Sequence, residues 1–284
     1  MSGTLFVVAT PLGNMEDVTL RALRVLREAN LIAAEDTRRT ARLLSHYAIS
    51  TPTISFHQHN ARTRLRQLLS RLEEGNSVAL VTDAGTPGVS DPGAELVEAC
   101  VSARIAVDAI PGPSAPLAAA VASGFPLIPL TILGFPPRRS KDRRLWFSAI
   151  LAIRHTVTFF ESPHRIAASL SDASLVLVNR PIMLAREMTK RHQEFVRGTA
   201  SAVLAQMGQP KGEITVVVGP DDTGLMSHDQ SRGTQAVGEA ISRFGQLTES
   251  GRSRREAMAE AAKAYGLPVR VLYAAVEEAK KSGA

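Results

Sequence analysis

The chain has a single cysteine, Cys100. This excludes an intramolecular disulfide framework and suits a reducing, cytoplasmic setting. No apolar run is long enough to span a bilayer. The opening "MSGTLFVVATPLG" lacks a basic residue ahead of a short apolar stretch, so it reads as a first strand rather than a signal peptide. Familiar catalytic and nucleotide motifs are missing. No G-x-G-x-x-G follows a strand and no G-x-x-x-x-G-K-[ST] occurs, which removes the dinucleotide fingerprint and the P-loop. The G-x-S-x-G elbow of serine hydrolases is absent. Metal ligation has thin support. "HQH" (57–59) has neither an H-E-x-x-H context nor cysteine partners, and Asp83 with Asp91 are too few oxygen ligands for calcium.

What is present belongs to a globular protein with an anionic partner. Hydrophobic residues make up 44% and charged residues 21% of the 284 positions. That length is generous for one core and implies two domains plus a smaller piece. The net charge is +6, and the basic residues are clustered. "RRSKDRR" (138–144) carries five positive charges against one negative, "DTRRTAR" (36–42) three against one, and "RTRLR" (62–66) three more. The last of these fits a solvated helix face. The first follows the loop-like "GFPP" (134–137), and single-sign charge in such a loop suits a phosphate backbone.

Up to residue 112 the sequence alternates strand and helix patterns. "TLFVVA" (4–9), "LIAA" (31–34), "PTIS" (52–55), "SVALVT" (77–82) and "IAVDAI" (105–110) predict strands. Segments 19–29, 37–47, 61–74 and 93–103 between them repeat apolar residues every three or four positions. The expected result is βαβ units and a mostly parallel sheet. After "PGPSA" (111–115) a second set begins, with strands predicted at 127–133, 156–161, 181–187, 194–199 and 213–219 and a hairpin around "MTKRHQ" (188–193). This unit reads as a mixed sheet with helices. Residues 221–235 have linker chemistry, and helices are predicted over 253–266 and 267–281. These two fit a helix-turn-helix or an ordinary helical hairpin. The resulting division is 1–112, 113–222 and 223–284.

Four unusual loops each follow a predicted strand of the first set: "TPLGN" (10–14), "AEDTRRT" (34–40), "DAGTPGVSDPG" (83–93) and "PGPSA" (111–115). In open α/β sheets the ligand crevice lies outside the carboxyl ends of the strands. Glycines let the backbone approach a small molecule, and prolines fix a loop in advance. One such loop is an ordinary turn, whereas four on one rim indicate a platform for a ligand.

Those loops, with "GFPPR" (134–138), "FFESPHR" (159–165), "REMTKRHQEFVRG" (186–198) and "KGEITVVV" (211–218), occur in an order that resembles the tetrapyrrole methylase superfamily. "AEDTRRT" and "FFESPHR" are similar to its bacterial branch that methylates the 2′-hydroxyl of a cytidine in the decoding centre of 16S ribosomal RNA. The likeness covers about the whole chain, including a helix-turn-helix-like C-terminal extension. It implies two α/β domains with S-adenosylmethionine folded between them and no metal. It also implies a homodimer and a ribosomal RNA substrate within the small subunit. By motif, Leu12, Thr86, Val89, Ser114 and Ala115 line the cofactor pocket from the first domain. Phe160, Ala185, Gly212, Glu213 and Ile214 do so from the second. Where much of the superfamily has Gly-Asp-Pro this chain has Gly85-Thr86-Pro87, so a carboxylate–ribose bond is not implied there. Asp83 and Asp91 are candidates for one, or for stapling their own loop, with Asp91 placed to cap the following helix.

Methyl transfer to a ribose hydroxyl needs alignment, exclusion of water and a proton acceptor. Glu35, Asp36, His57, Glu161, Glu187 and Lys190 are the candidate acceptors or orienters. Arg38, Arg39, Arg165 and Lys190 are candidates for flanking phosphates and Asn14 for the sugar or base. Arg138, Arg139, Arg143 and Arg144 are the candidates for RNA capture. Two rival readings are a corrin-precursor C-methyltransferase of the same superfamily and a non-enzymatic RNA-binding module. The basic clusters speak against the first, and the intact glycines and prolines of the loops against the second.

Overall fold

A computed structural model of the chain describes residues 2–208, 212–221 and 239–265, with residues 269, 272, 273, 275 and 276. The apolar runs of the first part form β1 (Thr4–Val8), β2 (Leu31–Ala34), β3 (Thr53–Ser55), β4 (Val78–Val81) and β5 (Ala106–Ile110). They pair in the order β3-β2-β4-β1-β5, and every pair is parallel. Both β2 and β4 are buried at each position because helices cover both faces. On one face α1 (Leu20–Glu28) and α2 (Thr37–His46) set Leu23, Leu26, Leu43 and Leu44 against Val8, Ile32, Ala79 and Val81. On the other, α3 (Ala61–Glu73) and α4 (Ala94–Ser102) set Leu68, Leu72 and Leu96 against Leu5, Leu31, Val78 and Leu80. Each such leucine contributes about 1.5–3 kcal/mol relative to exposure.

The second sheet comprises β6 (Leu130–Ile132), β7 (Thr156–Glu161), β8 (Ile182–Arg186), β9 (Glu194–Gly198) and β10 (Ile214–Val218). Its order is β6-β7-β10-β8-β9. Only β6 and β7 run parallel, and the mixed sheet and the β8–β9 hairpin form as the sequence indicates. The first strand is shorter than its predicted span of 127–133. Pro129 has no N–H to give to a ladder, and pairing begins at Leu130. Three helices, α6 (Ser140–Leu151), α7 (Ile166–Val176) and α8 (Ala200–Gln206), cover one face through Phe147, Ile150, Leu170 and Val203. The other face receives α5 (Ala115–Ser123), with Ala119 against Met183, Ala185 and Val217.

Segment 138–144, expected as an exposed basic loop, runs instead into the first turns of α6. The reason is Arg143, which is only 5% exposed. Its Nε donates to Asp172 Oδ2 of α7 at 2.8 Å, and its Nη1 to the Arg138 carbonyl at 3.0 Å. Ser140 Oγ donates to the other oxygen of Asp172 at 2.9 Å. Arg143 is thus a tie between α6 and α7 and is not presented to a partner, whereas Arg138, Arg139 and Arg144 keep their heads nearer solvent.

The described residues fall into two compact units, Met1–Pro220 and Asp221–Ala284. In the second unit a helix over 239–249 (α9) packs on α10 (Arg254–Ala264) through Ala240, Phe244, Leu247, Ala257 and Ala261. Ser253 caps the start of α10. Its hydroxyl accepts the Glu256 N–H and donates to the Glu256 carboxylate at 2.7 Å. The predicted linker 221–235 and helix 267–281 lie mostly outside the described residues. Among those residues no helix is long and apolar enough to cross a membrane.

Replacing Asp172 by alanine leaves the Arg143 guanidinium buried without its counter-charge. The expected loss is about 3–5 kcal/mol, read as a lower urea midpoint at unchanged slope. Arg144→Ala, whose Nε stands 3.8 Å from Asp172, should shift the midpoint far less.

Candidate functional site

Strand order decides which loops meet. Because β2, β4, β1 and β5 are neighbours and parallel, the loops leaving their C-terminal ends share one rim. Backbone bonds lock them together. Thr10 and Gly85 exchange N–H···O bonds of 2.9 Å in both directions, an isolated antiparallel bridge just past the ends of the parallel β1–β4 pair. Gly85 sits at φ +86°, a conformation that favours glycine. Thr86 Oγ1 donates to the Pro113 carbonyl at 3.0 Å, joining the loops after β4 and β5. Glu35 Oε2 accepts Thr82 Oγ1 at 2.6 Å and the Asp83 N–H at 3.2 Å, joining the loops after β2 and β4. The predicted cap at Asp91 does not form. Gly93 is the N-cap of α4, with no side-chain bond.

In the second sheet the central strand runs against both neighbours, so its start meets their ends. Ile214 pairs with Glu161 and Arg186, and Thr215 with Phe160 and Ala185. Residues 186–190 fold back across this rim. Glu187 lies at φ +50° and Thr189 at φ +66°, uncommon conformations for residues other than glycine. Glu187 Oε1 accepts Lys190 Nζ at 2.9 Å and the Glu213 N–H at 3.3 Å, and Lys190 holds this carboxyl below its usual range. The two rims are tethered directly. The Asn14 N–H donates to Thr189 Oγ1 at 3.1 Å, and the Lys190 stem lies over Gly13.

Between the rims is a cleft of about 370 Å³. Of the sequence-predicted cofactor residues, Leu12, Asp83, Thr86, Val89, Ser114, Ala115, Phe160, Gly212, Glu213 and Ile214 line it. Ala185 does not, because its side chain points to Ala119 of α5. Glu35 and Glu161 also face the cleft. The Glu161 carboxylate is already bound by Ser169, the Ser162 N–H and Arg165. Phe135, Ser90 and Met188 line the cleft without having been singled out, and the Phe135 ring lies 5.5 Å from that of Phe160. Phe135 was legible only as part of "GFPPR".

A second cavity of about 330 Å³ adjoins the first, bounded by the 10–13 loop, α2 and Lys190. It brings in Arg39 and Lys190, and also Arg42, a residue the motifs did not flag. The remaining candidates line neither space. Asp36 caps α2 and clasps Arg38 through bonds of 3.1 and 2.8 Å, which hold its carboxyl far below the usual range. His57 follows the edge strand β3, away from the central loops, and its backbone N–H donates to Asn60 Oδ1 at 2.9 Å. Arg165 donates to the carbonyls of Pro136 and Pro137, pinning the 134–137 loop. Asn14 Oδ1 accepts the Glu16 N–H at 3.1 Å.

Carboxylates dominate the first cleft: Glu35, Asp83, Asp91, Glu161 and Glu213, with Arg39 their one basic neighbour in its lining. Burial first, then the Glu35 charge, pushes Asp83 up, while Arg39 Nη1 at 3.4 Å partly offsets this. Burial pushes Asp91 up to about 6. The unfolded value is near 3.9, so the folded state holds this proton more tightly. The associated stability is present below pH ~4 and is lost as pH rises through about 6. Asp91→Asn should therefore raise the melting temperature relative to the parent at pH 7.5, and the difference should shrink as pH falls to 4. Paired melts across that range measure it, and a pH-independent difference would contradict the assignment.

The comparisons with known proteins agree with this architecture. The sequence profile described as "Tetrapyrrole (Corrin/Porphyrin) Methylases" matches residues 4–204. A protein of Thermotoga maritima named "Ribosomal RNA small subunit methyltransferase I" is 47% identical over 218 residues, or 76% of this chain and 98% of that protein. One of the same name from Synechocystis sp. is 40% identical over 277 residues, or 95% and 96% of the two chains. Among solved structures, diphthine synthase superposes with a TM-score of 0.60 at 14% identity, covering 76% of this chain and 90% of that one. Uroporphyrin-III C-methyltransferase from Thermus thermophilus, complexed with S-adenosylhomocysteine, gives 0.54 at 18% identity, covering 76% and 97%. At such identities the structures speak for the fold alone. The match across residues 4–204 and the relatives above 40% identity over most of their length place the chain, and it belongs to the tetrapyrrole methylase family.

Proposed function

We propose that this chain is an S-adenosylmethionine-dependent enzyme that methylates ribosomal RNA of the small subunit, at the 2′-hydroxyl of a cytidine in the decoding centre. The observation that carries the reading is the acid-lined cleft where loops of both sheets meet, in a chain whose relatives are named as small-subunit RNA methyltransferases. Its lining suits the cofactor. Carboxylates complement a sulfonium and an ammonium, Leu12, Val89 and Ile214 with the Phe135–Phe160 pair offer apolar faces, and Gly85 and Gly212 bring backbone close. When bound, the cofactor supplies a methyl group already made electrophilic by its positive sulfur.

The chain's own residues align the acceptor and keep out water. Asp83, raised by burial and by Glu35, suits a carboxylate that takes the hydroxyl proton at Oδ2. Of the other candidates, Glu35 orients Asp83 through its N–H, and Lys190 with Glu187 fixes the ceiling over Gly212. Arg138, Arg139 and Arg144 are the basic heads left for distant RNA contacts now that Arg143 is internal. We read the chain as a cytoplasmic homodimer, divided at 112/113 and 222/223. A corrin substrate is disfavoured because the relatives at 40% identity and above carry the ribosomal name.

Two measurements test this. Mass mapping of 2′-O-methylated nucleotides in ribosomal RNA should show one small-subunit cytidine methylated only in cells that contain the protein. Persistence of every such mark without the protein would overturn the function. In calorimetry, Gly212→Ala should weaken S-adenosylmethionine binding at least ~10-fold. The added Cβ would stand 1.7 Å from Glu187 Oε1 at a backbone φ of +81°. Gly208→Ala, with nothing within 4 Å, should bind as the parent does.

A further inference from the structure

The second cavity differs from the first in charge while sharing a wall with it. Leu12, Arg39, Asp83, Ala84 and Glu213 line both. Beyond that wall the charged residues of the first cleft are acids, Glu35, Asp91 and Glu161, whereas those of the second are bases, Arg42 and Lys190. A cationic ligand and an anionic ligand are thus accommodated side by side. We propose that the second cavity holds the acceptor nucleotide, unstacked from its RNA strand, with its phosphates on Arg39 and Arg42. This assignment rests on the reading of the chain as an RNA methyltransferase and names where that RNA enters.

Three observations carry it. Arg39 and Arg42 lie three residues apart on α2, hence on one helix face. Arg42 is exposed and has no ion-pair partner among the described residues, while Arg38 is clasped by Asp36. Arg39 is held only loosely, at 3.4 Å from Asp83, so an incoming phosphate has a cation to engage. Pro11, Leu12, Met15 and Leu43 form an apolar side that can receive the face of a base. The volume, about 330 Å³, is at the lower end for small-molecule sites, which suits one nucleotide rather than a linked four-pyrrole macrocycle. A base paired or stacked in a helix cannot occupy it, so recognition requires a single-stranded or splayed nucleotide.

The test compares the full chain with Arg42→Gln and with Thr40→Phe, whose ring would fill the cavity from α2. Binding to purified small ribosomal subunits is followed across a salt titration, with S-adenosylmethionine affinity measured in parallel by calorimetry. Arg42→Gln should weaken subunit binding roughly 10-fold and lower the salt slope by about 1, as expected for one lost phosphate contact. Thr40→Phe should weaken subunit binding and raise the KM for subunits. Cofactor affinity should stay at the parent value in both. If Thr40→Phe melts early, Arg42→Gln alone decides. Parent-like subunit affinity and salt slope in Arg42→Gln would overturn the assignment. A parent protein that binds subunits and transfers no methyl group would instead sink the proposed function, leaving the cavity to be judged by the binding arm.

Discussion

The paired backbone bonds between Thr10 and Gly85 are the constraint on which the site depends. They hold the loops after β1 and β4 together just past the ends of both strands, through one antiparallel bridge rather than a continued parallel ladder. Leu12, Asp83, Thr86 and Val89 flank that bridge on the two loops it joins. The pairing also explains the composition of the loop. Gly85 must adopt a positive φ to meet Thr10, and Pro87 and Pro92 stiffen the remainder of the loop up to α4. Amides in such a frame are aimed before any ligand arrives, which reduces the ordering cost of binding.

The second sheet contributes through a different device. Its central strand begins where its two neighbours end, so the Phe160–Glu161, Arg186–Met188 and Gly212–Thr215 segments converge without any long loop. One rim is made of four strand-to-helix turns and the other of three strand termini. Their meeting gives a cleft with charge separated along its length, acids toward one end and arginines with Lys190 toward the other.

Much of this was legible in the sequence, for a physical reason in each case. Wholly apolar four-residue runs such as "LIAA" and "VALV" have no alternative to burial on both faces, and they became β2 and β4. The loops were legible because glycine and proline concentrate where backbone geometry is special. Charge was the poorer guide. Five positive residues in 138–144 look alike in the sequence, yet Arg143 is internal because Asp172, far along the chain, faces it. Arg42 was hidden for the converse reason. It stood in a recognised basic cluster, but only the helix geometry of α2 puts it on the same face as Arg39. Asp91 had the spacing of a helix cap, and Gly93 took that place while burial of Asp91 raised its proton affinity instead.

The stem of Lys190 lies across Gly13 so closely that a Cβ at that position would stand 2.4 Å from Lys190 Cγ. The absence of a single carbon on the first loop is therefore what lets a lysine from the far rim bring its ammonium to Glu187 and Glu213. A lysine displaced from that seat would leave two carboxylates facing each other without their shared cation. The smallest residue in the "TPLGN" loop acts in this sense as a spacer gauge, setting how near the two halves of the cleft can draw and the electrostatic balance they reach when they do.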